Sequence, residues 1–240
     1  MACYIFMGAG SAIANTLLHK LSPDDSVYAL TRDTQSVQTS KAACQTHVEQ
    51  IDALDFSRVA QTVSNIQQQN HVDAVINFCG SVSLKPMHLL TPTAWQETLD
   101  INLTTAFNLS HAVTTHVKKN CHIIFFSTAA AHIGLPNHEA IVAAKSAVEG
   151  LAKSLAASYA KANIRCNVIA PGLIETPLTE AIIKSEKAKQ ASLSMHGLGR
   201  LGQPHDIADC LCWMLRPETQ WMTGEVIRID GGLSTTKNFQ

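Results

Sequence analysis

A pair of strand-end hydroxyls, two histidines and a lysine fall in one stretch, Ser127 to Gly150. An apolar run, Ile123-Ile124-Phe125-Phe126, ends in Ser127 and Thr128, and a Gly/Pro loop follows. Asn137 then reads as the cap of a helix carrying Lys145. Ligands of α/β folds bind beyond the carboxyl ends of the strands, where such a strand end and helix meet. The hydroxyls can orient a carbonyl, but neither is suited to donate a proton alone. An imidazole titrates near about pH 6.5 when unperturbed and exchanges protons readily. On a helix begun at Asn137, His138 shares a face with Ile141, three residues on. A helix N-terminus disfavours the imidazolium, which predicts a neutral ring able to donate a hydrogen bond. The competing reading is an exposed first-turn side chain. His132 and His196 are further rings that could face the same cleft, and Lys145 could be a solvated helix lysine.

A second group of residues suits a dinucleotide. In Gly8-Ala9-Gly10-Ser11-Ala12-Ile13-Ala14, small residues separate a strand from a helix, which can set backbone N–H groups against a pyrophosphate. Taken alone this is also what a tight turn looks like. Thr31-Arg32 ends the next strand; an acidic residue there would receive the ribose 2′-hydroxyl of NAD, whereas Arg32 favours the 2′-phosphate of NADP unless it is merely solvated. Asn77-Phe78-Cys79-Gly80 puts a polar side chain and a glycine at a further strand end.

The elements that must position these residues alternate strand and helix. Strands are predicted at Cys3–Met7, Ser26–Thr31, His47–Asp52, Asp73–Phe78, His122–Phe126, Ile164–Ile169 and Glu225–Ile229. Between them the pattern predicts helices at Ala12–Leu21, a polar one ending near Ala43, and Phe56–Gln69. A short one follows at Pro86–Leu90, then long ones from Thr91-Pro92 to about Val117 and from Asn137 to about Ala162. The last are a helical insertion at Pro177–Met195 and Pro204–Leu215. This alternation predicts an α/β fold with a doubly wound, mainly parallel sheet and helices on both faces. No repeat or linker divides residues 1–240, which read as one domain.

Composition bounds the partners. The 240 residues are 46% hydrophobic and 15% charged with a net charge of −1, and no basic run exists, so neither nucleic acid nor an anionic membrane surface is expected. The longest apolar runs are strand-length, and Met1 leads directly into Cys3-Tyr4-Ile5-Phe6-Met7, which reads as a strand rather than a signal. Six of the seven cysteines, Cys3, Cys79, Cys121, Cys166, Cys210 and Cys212, sit in or beside apolar runs and read as free thiols of a reducing, cytoplasmic compartment. None of the 11 histidines falls in a metal-ligand spacing, so no metal is expected.

In this order the pieces resemble a short-chain dehydrogenase/reductase of the single-domain type, and the resemblance covers essentially the whole chain. Met7–Ala14 occupies the place of the family's Thr-Gly-x-x-x-Gly-x-Gly turn, with Gly8, Gly10, Ser11 and Ile13 at the cofactor. Asp52 stands where the family has an Asp near the adenine. Asn77 to Gly80 stands for its Asn-Asn-Ala-Gly motif, and Asn102 for the helix Asn that anchors a catalytic water. Pro171-Gly172 and Thr176 match the turn that meets the nicotinamide. Gly199 to Pro204 and Thr223 to Gly232 match the C-terminal signature. The resemblance implies a seven-stranded Rossmann sheet and NAD(P) across its carboxyl edge, with Arg32, as read above, favouring NADP over NAD. It also implies hydride transfer with a small-molecule substrate, a homodimer or homotetramer through the two long helices and last strand, and Lys145 on the nicotinamide ribose.

The pattern breaks at the catalytic segment. The family Tyr lies four residues before the Lys, and that position here is Ile141; the Ser thirteen residues earlier falls on Thr128. An aliphatic side chain has no proton to give, and positioned acid–base catalysis is worth roughly 10²–10⁴-fold in rate. His138, seven residues before Lys145, matches the Tyr spacing of the related enoyl-carrier-protein reductases. Ala12 and Ala14 replace two glycines of the first turn, and each methyl is expected to narrow the pyrophosphate's approach. The segment 178–198 lies where the family has a substrate-covering lid, with Ile182, Ile183, Leu193 and Met195 as its apolar face or as plain core. Two functions stay open. One is an oxidoreductase acting on a carbonyl, alcohol or activated enoyl group with an atypical proton donor. The other is a catalytically degenerate dinucleotide-binding sensor or oligomer subunit.

Overall fold

A computed structural model describes residues 1–117 and 119–236 of the chain; residues 237–240, part of the span read as one domain, lie outside them. Seven strands form one sheet: β1 (Cys3–Met7), β2 (Ser26–Thr31), β3 (Gln45–Gln50), β4 (Ala74–Asn77), β5 (Cys121–Phe126), β6 (Ile164–Pro171) and β7 (Val226–Ile229). Their order is β3-β2-β1-β4-β5-β6-β7. Every pairing is parallel, so the sheet is wholly rather than mainly parallel. The chain winds outward from β1 to β3, returns, and continues from β4 to β7. A crevice therefore opens between the carboxyl ends of β1 and β4, the switch point at which doubly wound sheets take ligands.

Strand alternation divides the core. On β1, Cys3, Ile5 and Met7 enter one apolar cluster and Tyr4 and Phe6 the other. All five are buried because helices cover both faces. The first face carries α2 (Phe56–Gln69), α4 (Thr105–His116) and α5 (Glu139–Tyr159), through residues such as Val63, Leu109 and Ala152. The second carries α1 (Ala12–Leu18) and α7 (Pro204–Met214), through Leu17, Leu18 and Leu211.

Several predicted elements are shortened or replaced. The first helix ends at Leu18, and Leu21 reaches the same core from the following turn. No polar helix precedes Ala43; two 3₁₀ turns, Thr34–Ser36 and Thr39–Lys41, stand there. Short polar side chains bind the backbone locally in that segment, as Asp33 does Gln35 N at 3.0 Å, and so compete with a helical ladder. Asn15 also spans the segment from α1, donating to Ser36 O and accepting from Gln38 N. β3 begins two residues earlier than expected, its register fixed by pairing with β2. The long helix after Pro92 is interrupted: α3 (Pro92–Leu99) meets α4 through a π turn, Asp100–Thr104. Of the insertion after Pro177, only α6 (Glu186–Met195) forms a full helix, capped by Ser185.

Candidate active site

The catalytic stretch departs from expectation at its helix start. Asn137 does not cap α5; it takes a left-handed conformation (φ 66°), which an Asn tolerates. His138 occupies the N-cap position without a side-chain cap, and Glu139 is the first helical residue. The His138 Nδ1 atom lies 2.8 Å from Pro136 O. A carbonyl only accepts, so that nitrogen carries the proton, and the Nε2 of a neutral ring is left as an acceptor. The hydrogen that the sequence reading gives His138 to donate is thus directed at Pro136 O rather than at the cavity. His196, buried at the end of α6, has both nitrogens committed: Nδ1 is 2.7 Å from Ser192 O, and Nε2 accepts from Leu173 N at 3.2 Å.

Beyond the carboxyl ends of the strands lies a cavity of about 370 Å³. Gly10, Ser11 and Ile13 line it from the first turn, and Gly80 and Asn102 from the middle of the sheet. Thr128, His138 and Lys145 approach from the catalytic stretch, and Pro171, Gly172 and Thr176 from the end of β6. Four expected site residues do not line it. Gly8 sits beneath, with φ 78°, where a Cβ would stand 2.8 Å from Cys79 N. Asn77 is buried with its amide engaged internally, Nδ2 donating to Thr105 Oγ1 at 3.1 Å and Oδ1 accepting from Cys79 N at 3.1 Å. Arg32 and Asp52 lie exposed past the ends of β2 and β3. The Arg32 side chain makes no hydrogen bond or ion pair among the described residues, and Asp52 uses one oxygen on Leu54 N at 2.9 Å.

Lys145 is the least compensated charge in the cavity. It is 7% exposed, and its ammonium makes no hydrogen bond or ion pair among the described residues. A Cβ on Gly80 would stand 3.9 Å from Lys145 Nζ and 3.5 Å from Asn102 Oδ1, so the bare glycine keeps the space before both open. Burial lowers the Lys145 amine from 10.5 to about 8. The neighbouring Cys79 thiol is pushed up to about 12 by its own burial and supplies no counter-charge.

Asn102 owes its place to the π turn. Its Nδ2 donates to Thr98 O at 2.9 Å and to Ser81 Oγ at 3.0 Å, and its Oδ1 accepts from Ser81 N at 3.2 Å. The widened turn thus ties the loop after Gly80 to the end of α3, and such turns recur at functional sites. Thr128 caps a 3₁₀ turn, Ala129–His132, by accepting from Ala130 N at 3.3 Å; the hydroxyl hydrogen remains available to the cavity. Ile141 is buried and lines the cavity wall.

Two expectations about apolar groups are refined. Ala12 lines the cavity, but Ala14 is buried in the core behind α1, so only one of the two methyls faces a ligand. Of the four apolar residues expected of the 178–198 segment, Ile182 and Met195 line the cavity and Ile183 and Leu193 do not. Sequence reasoning also passed over a cluster beside the site. Ser127 Oγ donates to Glu149 Oε1 at 2.5 Å, and His132 Nε2 lies 3.1 Å from the same oxygen. The available signal was the position of Glu149, four residues past Lys145 on one helix face. Among the described residues no His, Cys, Asp and Glu groups are placed to hold a metal, and no helix is long and apolar enough to cross a membrane.

Comparison with known proteins gives this geometry a family. The family model described as enoyl-(acyl carrier protein) reductase matches residues 8–234. The 3-oxoacyl-[acyl-carrier-protein] reductase FabG of Thermotoga maritima is 31% identical over 186 residues, 76% of this chain and 75% of that protein. The short-chain reductase protein NovJ of Streptomyces niveus is 28% identical, covering 94% of this chain and 91% of its own. A short-chain dehydrogenase family protein from Francisella tularensis superposes with a TM-score of 0.88 at 23% identity, over 98% of this chain and 100% of the other, which shows the shared fold. The matching family model, the curated reductases and the parallel seven-stranded sheet together establish that the chain belongs to the short-chain dehydrogenase/reductase family of NAD(P)-dependent oxidoreductases.

Proposed function

We propose that the protein is an NADP(H)-preferring oxidoreductase acting on a carbonyl, alcohol or activated enoyl group, with an atypical proton donor. The observation that carries this reading is Lys145: a buried ammonium with no hydrogen-bond or ion-pair partner among the described residues, facing open space before Gly80 and Asn102. An unpaired buried charge costs several kcal/mol, on the order of what a ligand must offset, and ribose hydroxyls supply acceptors of the right kind. The glycines of the first turn leave room for a pyrophosphate. Arg32, without a side-chain partner among the described residues, is placed to take a 2′-phosphate, and Asp52, which uses one oxygen on Leu54 N, has its other toward the adenine. Pro171, Gly172 and Thr176 would meet the nicotinamide side.

When bound, the dinucleotide supplies or accepts the hydride. The protein's part is then to orient and to move protons. Thr128 directs its free hydroxyl hydrogen at the substrate oxygen. Lys145 holds the ribose and, with the loop that Asn102 fixes, the water beside it. Ile141 contributes shape only. The 178–198 segment, through Ile182 and Met195, covers the substrate. The seven free thiols fit a reducing cytoplasmic setting. Residues 1–240 act as one domain in a homodimer or homotetramer.

Calorimetric titration with NADPH and NADH tests the reading, together with hydride transfer to a panel of ketones, aldehydes and conjugated enones. Tighter binding of NADPH, reversed in Arg32→Asp, and oxidation of NADPH by at least one panel member are expected. Absence of both binding and turnover would refute the reading. The position of Ile141 alone favours a second one, a dinucleotide-binding sensor or subunit without turnover; binding without any hydride transfer would establish it.

A further inference from the structure

We propose that Ser127, Glu149 and His132 form a proton relay from solvent to the cavity, supplying the substrate oxygen with the proton that position 141 cannot give; this rests on the oxidoreductase reading above. Ser127 is the first residue past β5, buried at 5% exposure and part of the cavity wall. Its backbone is held by Ser127 N donating to Ile169 O on β6, at 2.8 Å. Its hydroxyl donates to Glu149 Oε1 at 2.5 Å. Glu149 stands one turn past Lys145 and two past Ile141 on α5, so the helix face that lacks a phenol at one level carries a carboxyl at another. His132 Nε2 approaches the same Oε1 at 3.1 Å. The Glu149 side chain is 12% exposed and that of His132 24%, so the series passes from the cavity wall to water.

The order of the groups decides what they can do. The imidazole touches the carboxyl and not the serine, so the cluster does not build a serine nucleophile, which needs the imidazole at the hydroxyl. It does place three proton-exchanging groups in series, with Ser127 and His132 each within transfer distance of the Glu149 carboxyl. The competing donors are weaker. The His196 ring is committed at both nitrogens, and His138 spends its Nδ1 hydrogen on Pro136 O and has no carboxyl beside it. Thr128 has a free hydrogen but no acid behind it to resupply one.

The step balances in the direction of reduction. The carbonyl carbon gains a hydride from the reduced dinucleotide, which is thereby oxidised, and the π pair of the C=O bond moves to oxygen. For this, Glu149 starts as the carboxylic acid, protonated through His132, and its bond to Ser127 is reversed: Glu149 Oε1 donates to Ser127 Oγ, the Ser127 hydroxyl hydrogen turns to the substrate oxygen, and as that oxygen takes it Ser127 Oγ takes the Glu149 proton. Glu149 in turn takes a proton from the His132 imidazolium, which recovers one from water. Oxidation of an alcohol runs the same chain outward.

The experiment uses the full-length protein, NADPH and the acetoacetyl thioester of N-acetylcysteamine. It follows single-turnover reduction in mixtures of H₂O and D₂O, alongside calorimetric NADPH binding. In the wild type a curved proton inventory is expected, with more than one proton in flight. Ser127→Ala is expected to lower the rate by about 10²-fold. His132→Asn, a change at a partly exposed position, is expected to lower it about 10-fold and to alter the solvent isotope effect, both with NADPH binding unchanged. Glu149→Gln covers the case in which Ser127→Ala fails to fold. Full rate and an unaltered solvent isotope effect in His132→Asn and Glu149→Gln would overturn the relay while leaving the oxidoreductase reading standing. A wild type that neither binds NADPH nor reduces the thioester would overturn both.

Discussion

At the scale of single residues, Lys145 and Ile141 pull the site in opposite directions. The buried Lys145 amine titrates near 8 where the unfolded chain holds its proton to about 10.5. Between those values the unfolded chain carries a proton that the folded one has released, so this group makes the ligand-free protein more stable as pH rises through that window. Below it, the charged form costs about 3 kcal/mol. Lys145→Met is therefore expected to raise the melting temperature at pH 7, an advantage that shrinks toward pH 10, while lowering turnover by roughly 10²-fold or more. Thermal melts across pH, set beside NADPH calorimetry, check both halves. At position 141, where the aliphatic side chain lines the cavity, Ile141→Tyr is expected to raise carbonyl reduction by at least about 10-fold by restoring a phenol before Lys145. Steady-state kcat/KM on the same ketone panel decides it.

At the scale of elements, the site hangs on two pieces of irregular backbone. Gly8 joins β1 to the first turn with a positive φ and with the β4 end packed where a side chain would go. Gly8→Ala meets both obstacles at once. It is expected to cost about 1–3 kcal/mol in urea unfolding, and to weaken NADPH binding through displacement of the Cys79–Gly80 turn. The π turn between α3 and α4 is the other piece. Hydrophobic spacing continues across it, which is why the sequence reads as a single long helix. The interruption is stabilised by contacts made elsewhere in the chain, those of Asn102 with Ser81 and of Thr105 with Asn77. The same explanation covers the lost helix before Ala43: Asn15, from a different element, takes hydrogen bonds that a helix would have kept for itself.

At the scale of the whole molecule, exposed aromatics gather away from the cavity. Phe107 on α4 is 48% exposed and stacks on Phe56 at 6.0 Å, with the His111 ring 4.7 Å from that of Phe56. Trp221, before β7, is wholly exposed. Clustered surface aromatics are costly in a monomer and ordinary in a subunit interface. Sedimentation velocity is expected to give a dimer or tetramer, and Phe107→Asp to shift it toward smaller species without unfolding the chain.

The sequence by itself determined the strand–helix alternation, the dinucleotide-binding fold and the family, together with most residues that come to the cavity. These rest on local periodicity and on short motifs whose spacing survives divergence: a glycine turn, a lysine on a helix, a Pro-Gly at a strand end. It also showed that position 141 holds an aliphatic side chain. Only the tertiary structure decided which side chains remain free to act. Asn77 reads as a cofactor contact and is buried with bonds to Thr105 and Cys79, and His138 reads as a donor and directs its Nδ1 hydrogen at Pro136 O. Ala14 reads as an obstruction and is buried behind α1. Ser127, Glu149 and His132 lie on a strand end, a helix and a turn, and no local pattern links them. Hydrogen-bond capacity is finite and is allotted by whatever folding brings near, so a residue's type and spacing fix what it could do, and its neighbours in space fix what it has left to do it with.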